Sequence, residues 1–249
     1  MPMSPRLLRP RAAGGFNPKT VGTLAVWLNP ADTSTLTYNG STISQINDAS
    51  GKGRHFVQST AASQPGTTTV NGRNALLFDG KWMRQTALSA YANRTTIIVA
   101  RRDAGTNASP FAAVFGYRSS ASAISGVSDS DTFFELRAAG TTAGTPLTFD
   151  MGTANARPLW VNGSVATFSG SNLSPCPFAT AGVLQVLSMN TEQTGSGNKM
   201  PLVGVEANGA TRTYLMTLCE VLIYSDELGT TARRAVEAYL SKKWGVTVT

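Results

Sequence analysis

The chain has 249 residues, 41% of them hydrophobic and only 14% charged, with 24 glycines and a formal net charge of +7. That length suits one large β-domain. Abundant Gly, Thr, Ser and Asn, set against few Lys or Glu, argue for a turn-rich β-protein rather than a helical one. The positive balance does not read as specific nucleic-acid binding. Arg6, Arg9, Arg11 and Lys19 supply four of the seven excess charges, and the rest of the chain carries no stripe of Lys and Arg interleaved with aromatics.

Residues 1–19 read as an extended basic N-terminal arm. Pro2, Pro5, Pro10 and Pro18 bar a regular helix, and Gly14-Gly15 make a flexible joint. The segment lacks the 7–15-residue apolar core of a secretory signal, and no stretch of the chain approaches the ~20 apolar residues of a membrane span. Neither secretion nor membrane insertion is expected. Weak repulsion between copies of a chain this low in charge favours assembly, so a homo-oligomer is expected. The arm is expected to dock on a partner chain. Arg6, Arg9 and Arg11 would meet its acidic or carbonyl groups, while Leu7, Leu8 and Phe16 bury apolar surface.

One domain is expected over residues 20–249. Strand signals run from Leu24–Leu28 through His55–Gln58, Ala75–Phe78, Ala112–Tyr117 and Thr132–Leu136. Thr95–Ala100 is β-branched or apolar throughout, which predicts a strand buried on both faces. Asn162-Gly163, between Pro158–Val161 and Val165–Phe168, is the strongest hairpin signal, since Asn-Gly favours the positive φ angles of a type I′ turn. Val183–Met189, Leu202–Val205 and Tyr214–Tyr224 complete the set.

One helix is predicted over residues 230–244. Val236, Tyr239, Leu240 and Trp244 share a face, Thr230 or Thr231 caps the start and Gly245 the end. It is expected to cover an edge or open end of the β-structure. The fold class is therefore all-β: a two-sheet antiparallel jelly-roll sandwich with one C-terminal helix, its first and last strands close together.

Chemistry is sparse. The only histidine, His55, forms a triad with Ser50 and Asp48 on paper, but all three crowd one turn-to-strand segment. Glycan cleavage needs two carboxylates flanking the scissile bond, and Glu135 has no second acid at i+2 or i+4. Asp48-Ala-Ser-Gly51-Lys-Gly53 resembles the opening of a calcium loop without its later glutamate; it reads most simply as an Asx-type turn. With Asp79 it is the candidate calcium site. Trp27 and Trp244 read as core. Trp82, after the Asp79-Gly80 turn, reads as core or interface, with glycan contact as the alternative. Cys176 and Cys219 read as free thiols.

Together, Leu24 to Leu36, Asp48 to His55, Gly72 to Gly80, Leu159 to Gly163 and Glu220 to Tyr224 with the terminal helix resemble the concanavalin A-like, laminin-G-like jelly-roll superfamily. The likeness is to domains of bacteriophage virion proteins and some bacterial surface proteins. The resemblance implies lectin, adhesion, glucanase or virion roles. The glucanase members' closely spaced Glu/Asp/Glu strand motif is missing, and Asn29 stands where relatives carry an acid. The expectation is a non-enzymatic virion structural protein, a capsid decoration or tail appendage held to other virion proteins by its arm, with host-surface glycan binding as a second property. A carbohydrate-binding or adhesion module is the alternative, and a glycoside hydrolase the weaker one.

Overall fold

The structure is a computed structural model that describes residues 15–86, 94–105, 112–118, 132–138, 147–150, 158–169, 172–174, 177–191, 200–204 and 213–249. Its strands are β1 (Leu24–Leu28), β2 (Leu36–Asn39), β3 (Thr42–Ile46), β4 (Phe56–Val57), β5 (Gly66–Val70), β6 (Arg73–Phe78), β7 (Met83–Gln85), β8 (Arg94–Arg102) and β9 (Ala113–Arg118). They continue as β10 (Thr132–Ala138), β11 (Leu147–Asp150), β12 (Leu159–Val161), β13 (Ser164–Ser169), β14 (Asn172–Ser174), β15 (Gln185–Thr191), β16 (Met200–Val203) and β17 (Met216–Tyr224). One helix, α1 (Thr230–Trp244), follows.

The strands form two antiparallel sheets. The first runs β13-β12-β15-β8-β17. Beyond β17 its edge is divided: β6 pairs with Met216–Leu218 and carries β5 outside it, while β1 pairs with Val221–Tyr224. The second runs β2-β3-β4-β7-β16-β9-β10-β11-β14. β13 joins the two sheets. Its first half pairs with β12 and its second half with β14.

Strand alternation sorts the apolar residues into two cores. Ile98, Ala100, Leu187, Met189, Val221 and Ile223 face the second sheet, against Phe115 and Tyr117. Their neighbours Ile97, Val99, Val186, Leu222 and Tyr224 face the other way and pack under Val236, Leu240 and Trp244 of α1. The double burial expected of Thr95–Ala100 is therefore observed, and its cause is the helix. α1 lies over the outer face of the first sheet rather than at an edge or open end, because a strand apolar on both sides needs a layer on both sides.

Two bulges break the alternation in phase with this layering. In β17 Leu218 pairs with Ala100 but Glu220 pairs with Val99, so Cys219 is an extra residue. In β1 Leu24 pairs with Tyr224 and Val26 with Ile223, leaving Ala25 extra. The first bulge turns Glu220 toward α1. There its carboxylate, with no exposed surface, accepts from Trp27 Nε1 (2.7 Å), Trp244 Nε1 (2.6 Å) and Tyr239 Oη (3.3 Å). It also pairs with Lys243 Nζ at 2.7 Å. A second buried pair, Arg233 with Glu237, lies on α1, with the guanidinium 4.0 Å over the Trp160 ring.

The Asn162-Gly163 turn has φ of 50° and 84°, as a type I′ hairpin requires. The helix matches its expected span; Gly229 is its N-cap, although no side chain caps there, and Gly245 closes it in the left-handed region.

Candidate functional site

An open cleft of about 520 Å³ lies at the free edge of β1, lined by Lys19, Gly22, Thr23, Leu24, Ala25, Ser50, Lys52, Arg54 and Ser225. Three segments build it. The first is a 3-10 turn over Pro18–Thr20, capped by the Asn17 side chain. It is held to the sandwich by the Tyr224 hydroxyl, which donates to the Pro18 carbonyl at 3.2 Å. The second is the bulged start of β1. The third is the loop from Asp48 to His55.

Asp48 fixes that loop. It is 7% exposed. Its Oδ1 accepts from the backbone N–H of Trp27 and of Ser50, both at 2.9 Å. Its Oδ2 accepts from Ser50 Oγ at 2.7 Å and the Arg54 N–H at 3.1 Å. The Ala49 N–H in turn donates to the Trp27 carbonyl at 2.8 Å. The loop thus satisfies the edge of β1 and shields it from pairing with another chain. The carbonyl of the bulged residue, Ala25, accepts from Ser50 Oγ (3.2 Å) and Arg54 Nη1 (3.3 Å). At the other wall Ser225 Oγ donates to Thr23 Oγ1 at 2.6 Å, and Thr23 Oγ1 donates to Asp226 Oδ2. Three hydroxyls and three cations therefore converge on one rigid frame. The half-buried Trp27 ring stands beside it, 5.9 Å from Lys19 Nζ and 5.9 Å from Lys243 Nζ.

The residues singled out by the sequence are dispersed. Arg6, Leu7, Leu8, Arg9 and Arg11 lie outside the described residues. Phe16 is 37% exposed and rests on the chain's own Tyr239, ring centroids 5.6 Å apart. Trp82 is half-buried in the turn before β7, away from the cleft. Its N–H donates to the Ser63 carbonyl and its carbonyl accepts from Gln58.

Asp48, the calcium candidate, acts as a loop cap that accepts four hydrogen bonds. Asp79 is exposed, and among the described residues no group of three His, Cys, Asp or Glu converges. The triad is not assembled: Ser50 Oγ bonds Asp48 directly, and His55 Nδ1 accepts the Asp48 N–H at 3.1 Å. Cys219 is a free, buried thiol, pushed up to about 12 by burial; Cys176 lies outside the described residues. No helix among the described residues is long and apolar enough to cross a membrane.

One arrangement escaped sequence reading. Glu135 on β10 is directly opposite Asp150 on β11. A search for acids at i+2 or i+4 cannot find a partner 15 positions away. Only the hairpin register brings the two to one rung.

No family model and no curated protein matches the chain. Solved structures do. A GH54 α-L-arabinofuranosidase soaked with a cyclic sulfate inhibitor matches with a TM-score of 0.51 at 12% identity, over 91% of this chain and 60% of its own. An arabinofuranosidase complexed with arabinofuranosyl-α-1,2-xylobiose matches at 0.47 and 14%, over 82% and 51%. The sialidase of Trypanosoma rangeli in complex with 2,3-difluorosialic acid matches at 0.49 and 15%, over 88% and 33%. The chain thus spans about a third of the sialidase and 60% of the first arabinofuranosidase. At these identities what is shared is the β-sandwich fold.

These likenesses correct the expectation of a non-enzymatic virion protein. The arabinofuranosidase that shares the sandwich at a TM-score of 0.51 is a glycoside hydrolase, so neither the virion assignment nor the exclusion of catalysis is retained. The physical reason lies in the motifs that suggested a virion role. The Asp48 loop caps an edge strand, Asn162-Gly163 turns a hairpin and Glu220 anchors the helix; all three speak for the framework and none for a particle.

Proposed function

We propose that the chain is a carbohydrate-recognising β-sandwich of the concanavalin A-like kind, with the cleft at the β1 edge as its sugar site. The observation that carries this reading is the convergence of Thr23, Ser50 and Ser225 hydroxyls with Lys19, Lys52 and Arg54 around one open cleft. Sugars present dense arrays of hydroxyl donors and acceptors. A frame that holds several polar groups in place binds them without a large ordering cost. The arabinofuranosidase likeness supports the reading, because it is a fold on which glycan chemistry is carried out. Titration of the full chain with an oligosaccharide panel, followed by calorimetry and by shifts of the Thr23 and Ser50 amide signals, tests it. Saturable binding that moves those signals is expected; binding that leaves them unmoved, or none across the panel, overturns the reading.

A second reading rests on one register. Directly paired residues of an antiparallel ladder are neighbours on one face of the sheet, and glycosidases of both stereochemical kinds work with a pair of carboxylic residues flanking one bond. The Glu135–Asp150 rung therefore supports a hydrolase. Reducing-sugar release by the wild-type chain that falls at least 100-fold in both Glu135→Gln and Asp150→Asn is the expected result under this reading. Release unchanged in both variants, or absent from the wild type, overturns it.

A further inference from the structure

We propose that the cleft at the β1 edge selects an anionic sugar, one bearing a carboxylate or a sulfate. The inference rests on the carbohydrate reading above and narrows it. Its basis is the sign of the lining. Lys19 enters from the 3-10 turn, and Lys52 and Arg54 enter from the Asp48 loop, while among the described residues no carboxylate lines the cleft. The three acids within two positions of the lining, Asp48, Asp226 and Glu227, are all engaged; Glu227 accepts from Asn190 Nδ2 at 2.8 Å. Asp48 accepts four hydrogen bonds beneath the loop. Asp226 accepts the Thr23 hydroxyl.

The cations are arranged on a fixed frame. Arg54 is held by its own N–H on Asp48 and by Nη1 on the Ala25 carbonyl. The ammonium groups of Lys19 and Lys52 bring mobile point charges suited to carboxylate or sulfate oxygens. Lys19 and Lys52 are exposed, so their chains are free to close over a bound anion. Thr23, Ser50 and Ser225, whose protons go to Asp226, Asp48 and Thr23, offer their oxygens as acceptors for sugar hydroxyls.

A nucleic acid is the less fitting occupant. Single-stranded nucleic acid is held along a charged groove with several aromatic platforms. Here one cleft of about 520 Å³ carries three cations, and among the described residues no aromatic ring lines it.

The test uses the full chain and four probes: a galacturonate trisaccharide, a sulfated galactose trisaccharide, the neutral galactose trisaccharide and a short oligothymidylate. The variants are Lys52→Ala and the Lys19→Ala/Lys52→Ala pair. Neither lysine side chain is used in the hydrogen bonds that hold the loop, so folding is expected to survive, and circular dichroism and melting check it. At least one anionic sugar is expected to bind tenfold or more tightly than the neutral one. That preference should fall at least fivefold in the double variant and weaken as salt rises. The galacturonate and sulfate arms identify which anion is preferred. A neutral sugar bound as tightly as the anionic ones, with no change in the variants, overturns this proposal while leaving the carbohydrate reading intact. Absence of any sugar binding overturns both. Oligothymidylate bound more tightly than either anionic sugar overturns both in favour of nucleic acid.

Discussion

Glu220 and Asp48 are two carboxylates that each gather four donors, and they differ in what they hold. Glu220 ties three elements together: β17 through its own backbone, β1 through Trp27, and α1 through Tyr239, Lys243 and Trp244. Removing its charge leaves Lys243 facing a neutral amide in a buried setting. Breaking a buried pair in this way costs about 3–5 kcal/mol. Glu220→Gln should therefore lower stability by about that amount, read from the urea midpoint, without altering cleft binding in the molecules that remain folded. Asp48 holds a loop. Asp48→Ala strands three backbone N–H groups that it now satisfies, at roughly 1 kcal/mol each. It should cost about 2–4 kcal/mol in the same measurement and, unlike Glu220→Gln, also weaken ligand binding, because Ser50 and Arg54 lose their frame.

At the scale of elements, two Asn-Gly hairpins offer a matched comparison. Gly72 joins β5 to β6 and Gly163 joins β12 to β13, with φ of +75° and +84°. A Cβ at Gly72 meets nothing within 4 Å. At Gly163 it would lie 2.3 Å from the Thr249 carbonyl oxygen, because the chain end is hydrogen-bonded to Asn162. Both Ala variants carry a left-handed strain of about 1–2 kcal/mol. Only Gly163→Ala must also displace residues 248–249, so its melting temperature should fall further; equal losses would show that the terminal segment does not press on the hairpin.

The same scale shows which elements the sequence discloses. Apolar runs such as Leu24–Leu28 and Thr95–Ala100 announce themselves, and so does a helix whose Val236, Leu240 and Trp244 keep one face. β2, β3 and β5 escape notice, because they are threonine-rich or half-exposed and carry their signal only in their turns. Gly40, and Asn71 with Gly72, all at positive φ, are the cues that could have found them. The cleft is illegible for a different reason. Lys19, Ser50, Lys52, Arg54 and Ser225 are unremarkable surface types; the Asp48 loop reaches β1 through Asp48, Ser50 and Arg54, and Ser225 joins them because β1 and β17, nearly 200 positions apart, are paired.

For the whole molecule, burial of weak acids sets an upper limit on alkaline tolerance. The Cys219 thiol is pushed from 9.0 up to about 12 by burial. Burial also raises the phenols of Tyr117, Tyr224 and Tyr239 above their ordinary 10.0; the carboxylate of Glu220 adds to the last two. In each case the folded state keeps a proton that the unfolded state gives up sooner. Their contribution is complete below about pH 9 and is lost as pH rises through the folded values. The urea midpoint should therefore fall between pH 8 and pH 10.5. Cys219→Ala should flatten the first part of that fall and leave the tyrosine-driven part. A midpoint constant over the range would contradict the assignment of these groups as buried acids.

The extra residue in β17 has a consequence for how this strand tolerates change in length. Up to Leu218, even-numbered residues look toward the second sheet; from Val221 onward, odd-numbered residues do. The strand is written in two reading frames, and Cys219 is the letter at which they shift. Removing that one residue would merge the frames, leaving Leu218 and Val221 still facing inward and Glu220 still facing the helix. Removing one residue on either side of it, from 217–218 or 221–222, would instead push outer-layer residues into the inter-sheet core. Length variation in this strand should accordingly be survivable at one position and destructive two places away, an asymmetry that a single-deletion scan read by soluble yield would display.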